Sequence, residues 1–229
     1  MSEERRIIHE ITPLMGKDVL YIADRHKKEF TYPIHNHSVF ELNFVENAQG
    51  VRRIVGDSQE VIGEYDLCLI TSAELEHVWE QNECKSEDIR EITIQFDFSM
   101  GDETLFGRNP YSSITRMMQE ARKGLVFPMK AIMKVYSLLD TLSSIKDGFY
   151  AVQQFLTILY ELSRCDNART LASSSYAKVD GRGRQPSHPE SKELYIQELY
   201  GRPALADARR FGWYESKCFQ PVLQAAYRA

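Results

Sequence analysis

The chain is poor in cysteine and has no repeated segment, no low-complexity tract and no long apolar run; each absence removes a class of protein. Its four cysteines, Cys68, Cys84, Cys165 and Cys218, are scattered through 229 residues without a CxxC pair. That usage points to reduced thiols in a cytosolic protein rather than to a disulfide framework. No stretch approaches the apolar length of a bilayer-spanning helix, and the start, MSEERRIIHEI, is charged where a signal peptide would be apolar. A cytoplasmic location with no membrane partner is therefore expected. Positive charge is also short: the formal net charge is −5, which gives the chain as a whole no strong attraction for nucleic acid or an anionic surface. What remains is ordinary for a globular protein, 43% apolar and 27% charged residues. The length suits one good-sized domain, or a small one with accessories.

Between Val19 and Phe98 the pattern is short and strand-like. VLYIAD, EFTYPI, FELNFVENA, VRRIVGD, DLCLIT and REITIQFDF are rich in β-branched and aromatic residues, and turn-type pieces such as ENAQG, GDSQ and GEYD separate them. Strands at this spacing with no helix between them predict an antiparallel barrel or sandwich. Alternation in REITIQFDF sets Ile92, Ile94 and Phe96 on one face and Glu91, Thr93 and Gln95 on the other. The interior positions stay open at this stage: Phe40 or Asn43 would serve as well as Arg53 or Gln95.

After Pro110 the period becomes helical. SSITRMMQEARKG reads as a short helix that Gly124 ends. In MKAIMKVYSLLDTLSSIKDG the residues Ile132, Met133, Tyr136, Leu139 and Leu142 recur at helical spacing. Val152, Phe155, Leu156, Leu159 and Leu162 do so in FYAVQQFLTILYELSRC. The KDG break predicts an antiparallel helical hairpin. Such a pair would cover one end of the barrel, and its apolar surface exceeds what that cover needs, which leaves a face for a subunit contact.

One constellation carries chemistry. YPIHNHSVFEL holds His35, His37 and Glu41, and ELEHVW adds His77. On a strand His35 and His37 share a face, and Glu41 has the same parity. Three imidazoles and a carboxylate suit a divalent metal such as zinc, iron, manganese or nickel. They suit equally a polar interior in which they bind one another and an organic ligand without metal. No separate general base or nucleophile stands near the motif, so no catalytic residue is assigned.

HNHSVFE, Gly50, GEYDLCLI and His77 resemble the two motifs of the cupin barrel. The resemblance implies a small double-stranded antiparallel β-barrel with a pocket between its sheets. Two departures stand out: the Glu41–Gly50 interval is long, and TSAELE replaces the Pro-x-Gly expected before the last histidine. With the helical pair behind it, roughly residues 1–165 resemble the front of an AraC/XylS-type transcription regulator. That plan joins a cupin-like effector domain, dimerising helices, a linker and a domain with two helix-turn-helix units.

The ending lacks such a domain. From Asp180 onward the chain loses periodicity and finishes GWYESKCFQPVLQAAYRA. Read in a shifted frame, the codons permitted beneath that string are compatible with GMSPSAFSRFFKQRTG, which resembles the recognition-helix region of the same family. PESKELYIQELYG permits QKVKNYIYKNYT, in the style of that domain's first helix. The expectation is a frameshift between Asp180 and Pro186, leaving a poorly ordered tail.

The expected organisation is α+β: residues 1–108 an effector-sensing barrel, 109–166 a helical dimerisation region, 167–180 a linker, and 181–229 a frameshifted remnant of the DNA-reading domain. Expected ligand-binding residues are His35, His37, Glu41 and His77, which are also the candidate metal ligands. Expected partners are a small-molecule effector and a second copy of the chain through the 129–165 helices. DNA is expected for the full-length parent, without sequence-specific binding by this chain. Two other readings stand beside this one: a small metal-dependent cupin enzyme (an isomerase or dioxygenase), and a bare dimerisation module.

Overall fold

Among the described residues, eleven short strands and three α-helices are arranged in layers. The computed structural model describes residues 7–14, 18–98, 104–174 and 176. In chain order the strands are β1 (Ile8–His9), β2 (Leu20–Lys27), β3 (His35–Asn36), β4 (Phe40–Glu46), β5 (Arg52–Val55), β6 (Ser58–Val61), β7 (Tyr65–Ile70), β8 (His77–Glu80), β9 (Ile89–Phe96), β10 (Leu125–Val126) and β11 (Arg169–Thr170). The helices are α1 (Ser112–Glu120), α2 (Met129–Leu142) and α3 (Gly148–Ser163). None of the helices among the described residues is long and apolar enough to cross a membrane.

The strands form two sheets rather than one closed barrel, in the orders β1-β3-β8-β5-β6 and β11-β10-β7-β4-β9-β2. All ladders are antiparallel except the short β1–β3 pair. Two local expectations are corrected. EFTYPI is not a strand: Pro33 has no N–H to give a ladder, and pairing begins only at His35. Ser58 and Gln59, read as part of the turn piece GDSQ, instead open β6, which is zipped to β5 from Arg52↔Val61 to Val55↔Ser58.

The period-two pattern of the larger sheet decides the layering. Leu42 and Phe44 of β4, Leu67 and Leu69 of β7, and Ile92, Ile94 and Phe96 of β9 form one core with Ile114, Ile132, Val135, Leu139, Phe155, Ile158 and Leu162 of the helices. The helices thus cover the outer face of the six-stranded sheet, not a barrel end as the hairpin alone suggested. Phe40 belongs to this side and stacks edge-on against Phe96, with centroids 5.5 Å apart. A second core, with Val45, Val51, Val55, Cys68, Ile70 and Trp79, lies between the two sheets.

The helical hairpin is antiparallel, as expected: Lys134 pairs with Glu161, while Gln154 further up α3 bonds the carbonyl of Leu138 on α2. Asp147 caps α3 by accepting from the N–H of Phe149 at 2.9 Å. Buried positions on α2 are Ala131, Ile132, Val135, Leu139 and Leu142, so Met133 and Tyr136 from the sequence pattern fall at the margin. Met133 is exposed. On α3 Val152 and Leu156 are likewise marginal, and Ala151 and Ile158 join the buried face. Arg90 ties sheet to helix, with one edge on Asp24 of β2 and Nη1 2.6 Å from Asp140 of α2.

Gly124 ends the α1 region as expected. It has φ +69°, and a Cβ there would stand 2.6 Å from Val55 Cγ1. Any side chain would force Val55 or the Gly124 backbone to shift, at a φ that favours glycine. The start of the expected linker is ordered: β11 pairs with β10, and the Leu171 and Ala172 N–H groups bond Gly124 and Lys123 carbonyls. Residues 177–229, including the shifted-frame segment and the helical turn considered at Leu194–Leu199, lie outside the described residues.

Phe155, fully buried against Phe96 with centroids 4.8 Å apart, is the residue on which the sheet–helix contact turns. Phe155→Ala is expected to lower stability in urea by about 3–5 kcal/mol. Val61→Ala, at an exposed position of β6, should change it by no more than about 0.5 kcal/mol.

Candidate metal centre

Because the apolar face of the six-stranded sheet goes to the helices, its polar face must look between the sheets. Glu41 and Asn43 of β4, Asp66 of β7, and Glu91 and Gln95 of β9 are all buried there. From the facing sheet come His35 on β3 and His77 on β8, which are direct register partners. His37 follows β3 immediately. The four residues expected from the sequence therefore do converge: the ring centroids lie 4.3 Å apart for His35–His77 and 4.9 Å for His37–His77. The Nε2 or Nδ1 donors of the three histidines fall within 4.8 Å of one another.

Each imidazole is held the same way. Nδ1–H donates to a backbone carbonyl two residues away: His35 to Pro33, His37 to Val39, His77 to Leu75, each at 2.9 Å. With Nδ1 protonated and occupied, Nε2 is the nitrogen left to face inward. His77 Nε2 is buried without a hydrogen-bond partner, 3.8 Å from Glu41 Oε1. His37 Nε2 lies 3.0 Å from Glu41 Oε2. His35 Nε2 lies 3.6 Å from an oxygen of Glu10.

Glu10 is a site residue that sequence reading missed. It follows β1, whose parallel pairing sets Ile8 beside His35, and its own N–H bonds the Asn36 carbonyl at 2.8 Å. Nothing local marks it, since its place depends on a two-residue ladder to a distant segment. Gln95 supports both acids, donating through Nε2 to Glu41 at 3.2 Å and to Glu10 at 3.4 Å. Glu10, His37 and Glu41 form a second group of converging donors.

Burial and pairing set opposite charge preferences within this cluster. Burial opposes ionisation of Glu41, yet His37 and the other two imidazoles hold its carboxyl well below the usual range. Burial also disfavours charge on His37, but the Glu41 carboxylate outweighs it and raises that imidazole to about 8. His77 is driven well below its ordinary value by burial and by its neighbour His35; burial lowers His35 as well. Glu10 is raised to about 7, by burial and by the nearby Glu41 charge.

This donor set fits a divalent cation. The orphaned His77 Nε2 lacks the donor or cation that a buried acceptor needs, whereas His37 without metal donates Nε2–H to Glu41 and would give up that proton to a cation. A cation bound by Nε2 of His35, His37 and His77 and by Glu41 would satisfy His77, with Nδ1–carbonyl bonds and Gln95 as the outer supports such ligands require.

Deeper between the sheets is a separate ionic group. Arg53 bonds Asp66 and, at 2.7 Å, Glu60; Trp79 Nε1 donates to Asp66 at 3.2 Å. Glu60 in turn accepts both terminal nitrogens of Arg169 on β11, each at 2.8 Å.

No family model matches the chain, and neither does any curated protein. Among solved structures it is similar to ToxT from Vibrio cholerae, at TM-score 0.38 and 12% identity over 82% of this chain and 79% of that one. ToxT from Vibrio cholerae O395, bound to (E)-4-(8-methylnaphthalen-1-yl)but-3-enoic acid, aligns at TM-score 0.36 and 12% identity over 81% and 79% of the two chains.

The titration of His37 has a definite sign. Its folded value, about 8, lies above the ordinary 6.5. The stability it contributes is full below pH 6.5 and is lost as pH rises through 8. His35 and His77, both lowered, bring changes only below 6.5. Metal-free protein is expected to lose about 1 kcal/mol between pH 6.5 and 8 relative to His37→Gln, measured by urea denaturation of both. The thermal shift produced by zinc should grow over the same interval, because a metal ligand must be deprotonated.

Proposed function

We propose that the chain is the effector-sensing and dimerisation part of an AraC/XylS-type transcription regulator, with a cupin-like sensor whose centre is His35, His37, Glu41 and His77. The observation that carries this reading is the convergence of three imidazoles on Glu41 between two sheets, each imidazole locked by a backbone carbonyl. A buried set of polar acceptors with fixed orientation costs stability unless something binds there, so its retention favours a binding role over a bare dimerisation module. The resemblance over residues 1–165 supplies the regulatory context.

A bound cation would serve as a Lewis acid and an anchor for a ligand atom. The chain's own groups do the remaining work: the histidines orient their lone pairs, Gln95 holds the two carboxylates, and the sheets exclude water. Ligand state would act only through unequal affinity for two arrangements of the protein. A physical route toward the linker exists in the ionic chain Asp66–Arg53–Glu60–Arg169, which runs from the inter-sheet space to the strand that opens that segment.

The dimer is assigned to the outer side of α2 and α3, where Met129, Met133, Phe149, Tyr150 and Tyr160 are exposed. A second reading, a metal-dependent cupin enzyme of the isomerase or dioxygenase type, is favoured by the same three-histidine, one-glutamate donor set.

Three measurements test these assignments. Purified chain dialysed against metal-free buffer is expected to take up one zinc, iron, manganese or nickel ion, read by mass spectrometry, and His77→Ala should abolish uptake. Turnover of a small substrate, lost in His35→Ala and His77→Ala, would transfer the site to the enzyme reading. Sedimentation equilibrium should give a dimer that Phe149→Glu converts to monomer; a monomeric wild type ends the dimer assignment.

A further inference from the structure

Two amide oxygens stand without a donor beside the histidines. Register on the inner face of β4 and β9 sets Glu41 opposite Gln95 and Asn43 opposite Thr93. Asn43 and Gln95 therefore sit on a diagonal, with backbones about 7–8 Å apart. The acids around them fix which way each amide faces. Asn43 Nδ2 donates to Glu91 at 3.3 Å, and Gln95 Nε2 donates to Glu41 and Glu10. Turning either amide over would set oxygen against carboxylate oxygen, so the amide oxygens face elsewhere. Both Asn43 Oδ1 and Gln95 Oε1 are buried with no partner.

The neighbouring cations do not answer them. Lys27 is committed to Glu91, and Arg53 to Asp66 and Glu60. Thr93, the register partner of Asn43 on the same face, is partly exposed, while both amide side chains are buried. A buried acceptor left without a donor is a place for one to arrive.

We infer that Asn43 and Gln95 form a ligand subsite that accepts the O–H or N–H groups of a small hydroxylated, amide or ammonium compound and rejects carboxylates. A carboxylate there would meet two amide oxygens and face Glu10, Glu41 and Glu91, with no donor to receive it from either amide. That repulsion supplies selectivity, and the two acceptors supply affinity. The subsite rests on the sensor reading and names the chemistry of the compound sensed.

The test is a fragment screen on the full chain by ligand-observed NMR with three sets of probes: uncharged polyols and amides, primary ammonium compounds, and carboxylates. Hits from the first two sets are expected, with Kd rising up to about tenfold in Asn43→Leu and in Gln95→Leu, the loss of one hydrogen bond. If either variant fails to fold, a crystal structure of wild-type protein with its strongest fragment decides instead, by showing donor atoms on both amide oxygens. Carboxylate hits weakened by the two variants, hits indifferent to both, or only water on the amide oxygens overturn the subsite while leaving a sensor in place. Absence of any bound fragment between the sheets overturns the subsite and the sensor reading together.

Discussion

Packing of the six-stranded sheet against the helices is the contact from which the rest of this structure follows. Leu42, Phe44, Leu67, Leu69, Ile92, Ile94 and Phe96 all turn toward α1–α3, and each such side chain contributes about 1.5–3 kcal/mol when fully buried. A strand has only two faces. Once these residues are committed outward, Glu41, Asn43, Asp66, Glu91 and Gln95 have nowhere to go but the space between the sheets. A slip of one residue would exchange the two sets and bury the acids under the helices, so the same contact fixes the register of the polar interior. The site is polar because the helices claim the apolar face.

The interior is tolerable because nearly every charge in it meets another. Arg53 satisfies Asp66 and Glu60, Lys27 meets Glu91, and Glu41 draws on His37 and Gln95. Breaking such a pair leaves a buried charge uncompensated, which costs more than the pair contributes when whole. Against that background the few unmet atoms stand out. Among the described residues they are His77 Nε2, Asn43 Oδ1 and Gln95 Oε1. Each is turned by its own side chain's other bonds, so all three are acceptors. A cation and a donor-bearing molecule answer that deficit; an anion does not.

The segment after α3 is held by similar means. β11 lies against β10, Arg169 reaches Glu60, and the Ser173 N–H bonds Asp57 at 2.8 Å. The first residues read as linker are thus joined to the β5–β6 hairpin, whose Arg53 reaches into the interior. Glu60 is the carboxylate that Arg53 and this segment share.

Much of this was written in local sequence. Alternation in REITIQFDF separated Ile92, Ile94 and Phe96 from Glu91, Thr93 and Gln95, because period two is a property of any strand. HNHSVFE supplied His35, His37 and Glu41, but these meet across two sheets, from β3 and β4, rather than along one strand face. The helices were legible from their apolar spacing, and Gly124 from its place after that run. What alternation leaves open is which face is inside. That was settled by the helices, which sent Phe40 outward to Phe96 and left Asn43, Arg53 and Gln95 inward. Glu10 joined the site only through a short parallel ladder to His35, and SQEV became β6 only by pairing with β5. Local sequence sets the period of each element and the chemistry it carries; partners distant in the chain decide which elements pair and which face is buried, since those free energies exist only once the chain is assembled.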